Sequence, residues 1–131
     1  MKFLSLIIIS VLILIACDDT ITVENVDNKI IPSSNVSFAE HIYPVLQVKC
    51  AFSGCHSNVN PEAGLDLTSW SGVTADPTIV FPGQPDLSKL VWAIEGNKPP
   101  IQPMPPIGYR SFTQNQVEGM RKWIEEGALD N

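Results

Sequence analysis

Two long stretches rich in proline and glycine, residues 57–85 and 97–110, break the chain into short pieces that leave little room for regular structure. Proline removes a backbone donor and glycine frees the backbone, so neither run can sustain a helix or a central strand. No segment alternates apolar and polar residues as a half-buried strand does. What remains are three helical patterns, and the fold they predict is all-α.

The first pattern is SFAEHIYPVLQVKC, residues 37–50. Ser37 and Glu40 have capping-box spacing, and Phe38, Ile42, Val45 and Leu46 fall on one apolar face. Pro44 is expected to kink this helix or delay its start. The second pattern is PDLSKLVWAIEG, with Asp86 as cap, Leu87, Leu90, Val91 and Ile94 at helical spacing, and Gly96 at the exit. The third is FTQNQVEGMRKWIEEGALDN. Thr113 and Gln116 form a capping box, Phe112 and Val117 are placed as a hydrophobic staple, and Gly127 ends the helix. Val117, Met120, Ile124 and Ala128 form its predicted buried face. Gly119 weakens a helix interior by about 1 kcal/mol relative to alanine, which close approach to another helix would explain. Three short helices are a thin core for a domain spanning 36–131. Domains of this kind often rely on a disulfide, a metal or a cofactor for the burial they lack.

Upstream of the domain, Lys2 precedes FLSLIIISVLILIA, an apolar run over residues 3–16 interrupted only by Ser5 and Ser10. A membrane-spanning helix needs about 20 such residues, so the run reads as the core of a secretory signal covering residues 1–16, with an uncleaved anchor helix as the other reading. It ends in LIAC, which resembles the lipobox of bacterial lipoproteins. That resemblance implies cleavage before Cys17, lipidation of Cys17, and an extracytoplasmic domain held to a bacterial membrane, on the periplasmic side or at the cell surface. Residues 18–35, DDTITVENVDNKIIPSSN, sustain no helical or strand period and read as a flexible tether, so that 17–35 form a lipidated N-terminus and linker. The formal net charge is −6, and loss of Lys2 with the signal takes it to −7. Nothing basic or clustered points to nucleic acid; an acidic surface favours basic partners.

Two further cysteines, Cys50 and Cys55, then form a pair in an oxidising compartment, open to a disulfide, a metal site or a cofactor attachment. They stand in CAFSGCH, residues 50–56. The spacing CxxCH attaches c-type haem. Here four residues separate the cysteines, so a regular helix would aim the thiols apart. A looped-out turn is required, and Gly54 permits one. His56 directly follows the second cysteine, where it is placed to bind iron.

Iron in electron carriers often takes methionine as a second axial ligand, which raises the potential. Met120 falls on a helix face and reads as core. Met104 lies in IQPMPPIG, in a loop whose prolines 99, 100, 103, 105 and 106 stiffen it. A pre-ordered loop lowers the entropic cost of holding one thioether at a metal, and beside a Cys-His pair the ligand reading of Met104 prevails over gap filling.

The chain resembles the small class I cytochrome c domains, particularly the single-haem domains of bacterial lipoproteins and planctomycete-type cytochrome c proteins. The resemblance rests on FAEHIYPVLQVKC running into CAFSGCH, then GLDLTSW, FPGQPDLSKLVWAI, PMPP and QVEGMRKWIEEGA, in that order. It implies a small fold of three to four short helices around one covalent haem c, held by Cys50 and Cys55. It further implies His56 and Met104 as axial ligands and a helix crossing of Phe38 or Tyr43 against Trp123. The implied activity is single-electron transfer to redox partner proteins with a basic docking face, not enzymatic turnover. The wider cysteine spacing departs from the common motif. Alternatives are a haem module serving a dehydrogenase or surface hydrolase, with an open iron site if Met104 does not bind, and a haem-free, disulfide-stapled binding lipoprotein. Zinc held by Cys50, Cys55, His56 and His41 has suitable ligand types but no second knuckle. His41 is otherwise a solvated helix residue and the reserve sixth ligand. Trp70, Trp92, Phe81, Leu65 and Leu67 are expected to line the pocket or the core.

Overall fold

A computed structural model describes residues 20–131, and within them every regular element is helical. The order is α1 (Val23–Asn28), a π turn (Phe38–Ile42) continuing into α2 (Tyr43–Lys49), α3 (Trp70–Val73), α4 (Lys89–Glu95) and α5 (Gln114–Glu125), with 3₁₀ turns at Glu62–Gly64 and Pro85–Leu87. The all-α expectation holds, with α1 and α3 added to the three helices read from periodicity. The signal at 1–16 and the lipidated Cys17 lie outside the described residues.

Pro44 decides how the first helix begins. It occupies the first turn of α2, where its missing N–H needs no partner. The preceding turn, capped by the Ser37 hydroxyl accepting from the Glu40 N–H, is wound as a π turn. Phe38, Ile42, Val45 and Leu46 are all buried, as their spacing requires. Both halves of the α5 capping box form: the Thr113 hydroxyl accepts from the Gln116 N–H, and the Gln116 side chain accepts from the Thr113 N–H. Met120, Trp123 and Ile124 are buried on its inner face, whereas Val117 is only half-buried. The two helices cross at Phe38 and Trp123, with ring centroids 5.4 Å apart, and Tyr43 stacks behind Phe38 at 6.0 Å.

In the second pattern, residues 85–87 form a separate 3₁₀ turn and the helix starts late, with Ser88 as its N-terminal flanking residue. Leu87 therefore points outward, 51% exposed, and Asp86 pairs with Arg121 instead of capping. Leu90 and Val91 remain buried, and Gly96 closes α4 at φ 65°.

The largest difference from expectation lies in residues 20–35. This stretch, expected to be a flexible tether, is packed against the domain. Thr22 and Asn25 cap α1 reciprocally, Val26 and Ile31 are buried, and the Asn115 side chain bonds both the N–H and the carbonyl of Ile31. Farther along, the Glu126 carboxylate accepts the N–H groups of Asn35 and Val36 at 2.8 and 2.9 Å. The hydrogen bond from Val36, with that from Asn35, outweighs a small desolvation and holds the Glu126 carboxyl below its ordinary range. Gly119 is a close-approach position, but the neighbour is Ile31 of this arm, whose Cγ2 would meet a Cβ at 2.5 Å.

Candidate functional site

CAFSGCH forms a closed loop at the end of α2. The amides of Cys50 and Ala51 both donate to the Leu46 carbonyl, ending the helix. The chain then turns through Phe52–Cys55, with Cys55 N–H donating to the Phe52 carbonyl and Gly54 at φ 83°. No atom lies within 4 Å of where a Gly54 Cβ would sit, so glycine is needed there for its backbone alone. His56 N–H returns to the Cys50 carbonyl at 3.0 Å, which brings the two cysteines and the histidine together across the four intervening residues. The His56 carbonyl accepts from Leu67, tying the loop to the next segment.

Met104 reaches the same space from the proline loop. Its N–H donates to the Ala93 carbonyl of α4 at 2.8 Å, fixing the proline loop on that helix. Cys50, His56 and Met104 together form walls common to two neighbouring cavities, of about 270 and 160 Å³. The larger is completed by Leu65, Leu67, Ile79, Leu90, Ile94 and Ile101. The smaller adds Cys55, Phe52, Glu62, Tyr109 and the Lys49 side chain. Together they fall within the range of about 300–1,000 Å³ usual for ligand sites, and their lining is predominantly apolar.

Several observations match these residues to a covalently attached, iron-bearing macrocycle. Both cysteines are free thiols. Burial, with the neighbouring Cys55, pushes the Cys50 thiol up to about 12, so it is held neutral despite Lys49. His56 lines the apolar cavity, and its Nδ1 is buried without a hydrogen-bond partner. The thioether of Met104 shares that cavity. Two thiols, an imidazole and a thioether around an apolar space could hold a haem.

His41 is occupied elsewhere. Its Nδ1 accepts from the Ser37 N–H at 2.9 Å at the start of the π turn, and it lines neither cavity. Among the described residues, no three His, Cys, Asp or Glu side chains cluster as a metal site, so the four-ligand zinc set does not assemble. Of the predicted lining residues, Leu65 and Leu67 reach the cavity. Trp70 belongs to the core, donating from Nε1 to the Ala128 carbonyl. Trp92 donates to the Asp86 carbonyl and carries Lys98 over its ring, while Phe81 is 40% exposed; both lie outside the cavities. Ile79 and Ile101 went unforeseen because they stand in irregular loops, where no period marks an inward side.

Residues 53–108 match the family model of planctomycete cytochrome C. The match is consistent with a cytochrome c-like domain over this part of the chain. The matched segment contains Cys55, His56 and Met104 and begins after Cys50, so the place of Cys50 in the site rests on the loop geometry above. Neither the curated proteins nor the solved structures include a significant match to the chain. Among the described residues, no helix is long and apolar enough to cross a membrane.

Proposed function

We propose that this protein is a membrane-anchored, single-haem c-type cytochrome that passes electrons one at a time and performs no substrate chemistry of its own. The observation that carries this reading is the convergence of Cys50, His56 and Met104 on one apolar cavity, with Cys55 closing the loop. Cys50 and Cys55 would form the thioether links, with His56 and Met104 as axial ligands. The bound haem supplies a one-electron iron couple. The chain supplies apolar walls that exclude water and two anchored loops that hold the ligands without reorganisation.

Lipidation of Cys17 would fix the domain to the membrane. With α1 beginning at Val23, only residues 18–22 separate it from Cys17, a length of chain that could span at most about 18 Å if fully extended. A docked arm thus keeps the redox centre close to the membrane surface. The acidic chain, at −7 once the signal is removed, favours a partner with a basic docking face.

The test is a denaturing gel of the purified mature protein stained for covalent haem. A stained band supports the reading; an unstained band carrying a Cys50–Cys55 disulfide overturns it in favour of a stapled binding protein. In haem-loaded protein, Met104→Ala is expected to abolish the methionine-to-iron absorption band. An unchanged spectrum would remove Met104 from the ligand set.

A further inference from the structure

Behind the smaller cavity lies a charged cluster that haem attachment does not require. Lys49, the last residue of α2, precedes Cys50 and lines that cavity, yet its side chain is 1% exposed. All three of its ammonium protons have partners: Asp27 Oδ1 at 2.7 Å, the Ser111 carbonyl at 2.7 Å and Gln116 Oε1 at 2.8 Å. Asp27 is itself buried, receives Gln116 Nε2 at 3.0 Å, and pairs through its second oxygen with Arg110 Nε at 2.6 Å. Arg110, 64% exposed, follows the loop whose Pro105, Pro106 and Tyr109 form the cavity's other wall.

A buried ion pair is weak support for stability, since apolar residues of similar volume often serve as well or better. Its persistence beside a redox cavity therefore calls for an electrostatic role. Iron gains one positive charge on oxidation, and in a low-dielectric interior a nearby uncompensated ammonium opposes that gain. We infer that Asp27, brought by α1, is a positioning residue for Lys49, and that this pair sets the reduction potential by cancelling the ammonium's field at the cavity. The inference rests on the haem reading above. It also gives the packed arm a purpose, because α1 carries the counter-charge. Burial would raise the Asp27 carboxyl, but the hydrogen bonds from Lys49 and Gln116 and the charges of Lys49 and Arg110 outweigh it, so the carboxylate stays ionised.

The test is a redox titration of haem-loaded wild type, Asp27→Asn, Lys49→Met and the double variant, at low ionic strength. Asp27→Asn leaves the ammonium uncompensated and raises the potential. Lys49→Met removes the ammonium, leaves the carboxylate to exposed Arg110 alone, and lowers it. The double variant returns near wild type. Each single change is expected to alter the one-electron equilibrium constant at least threefold, about 28 mV at 59 mV per tenfold. Loosened packing or water entry would move both singles the same way, so shifts of one sign, or none, overturn the inference. If the buried variants fail to fold, exposed Arg110→Gln decides: it should lower the potential by a smaller amount that added salt removes, and an unmoved potential refutes the proposal. Amide exchange over residues 23–31 reports separately whether α1 stays docked. Absence of covalent haem would end the parent reading and this one together; loaded protein with unmoved potentials ends this one alone.

Discussion

Gly119→Ala tests whether the segment before the domain is truly part of it. In a helix interior, alanine normally exceeds glycine by about 1 kcal/mol. At 119, however, the added methyl would lie 2.5 Å from Ile31 Cγ2 and 2.9 Å from its Cβ and Cδ1. Carbon atoms in ordinary contact are about 3.5–4.0 Å apart, so Ile31 must retreat by roughly 1 Å. It cannot do so by turning one terminal bond. The close atoms include its Cβ, and its backbone is bonded on both sides by Asn115. Overpacking of this kind costs about 1–3 kcal/mol, and release of the arm instead forfeits about 1.5–3 kcal/mol of isoleucine burial. After the helix gain, a net loss of about 1 kcal/mol is expected. In an Ile31→Gly background none of the three obstructing atoms exists, and the same Gly119→Ala change should stabilise by about 1 kcal/mol. Urea unfolding followed by far-UV circular dichroism reads both effects as midpoint shifts at constant slope. The reversal of sign is the decisive quantity. Equal stabilisation in both backgrounds would mean that Ile31 is not seated on α5, and the packing of residues 20–35 would have to be abandoned.

Other consequences are equally direct. The depressed carboxyls of Asp27 and Glu126 contribute stability that is present above their unfolded values and lost as the pH falls through the folded ones. Amide exchange over 23–36, corrected for the intrinsic pH dependence of the free amide, should therefore hold steady from pH 7 down to about 4 and rise below that. Asp27→Asn should leave only the Glu126-dependent part of that rise; an arm that releases near neutral pH would contradict the assignment. In haem-free protein, iodoacetamide should modify half-buried Cys55 before Cys50, whose thiol is pushed up to about 12, and mass spectrometry at successive times would show it. Gly54→Ala, at φ 83° with open space for the methyl, should cost about 1–2 kcal/mol in the turn and lower the yield of haem-stained protein without unfolding the domain.

What was legible in the sequence was local or periodic. The α5 capping box needs only Thr113 and Gln116, three residues apart, and both its bonds form. The Phe38–Trp123 crossing follows from two apolar faces that must meet somewhere. The bulged turn of CAFSGCH was readable because Gly54 marks its one left-handed position. Leu87 was misread because helical spacing continues across Ser88, whereas the chain there is wound as a 3₁₀ turn that rotates Leu87 outward. The arm was illegible for another reason. Only Val26 and Ile31 of it are buried hydrophobics before Val36, too few to show a period, and much of its attachment is polar. Gln116, Asn115 and Glu126 reach it from roughly ninety positions away, through side-chain hydrogen bonds that leave no local pattern.

That polar attachment changes how the thin core should be understood. Periodicity alone suggested a domain short of burial, to be completed by whatever fills the cavity. The arm adds Val26 and Ile31 to the core cluster and packs on α5 at Gly119, while Cys50, Leu67 and Leu90 of the same cluster face the cavity. The helices therefore have two distinct sources of closure: the chain's own N-terminal segment on one side and the cavity contents on the other. Lys49 touches both, pairing through its ammonium with Asp27 and lining the smaller cavity. Loss of haem attachment, as in a Cys55→Ser variant, is expected to raise amide exchange in α2 and its carboxyl-terminal loop more than in α1, because Gln116, Asn115 and Glu126 still hold the arm to α5. Equal loss of protection in α1 would mean that the arm depends on the cavity contents and that the two sources of closure are one.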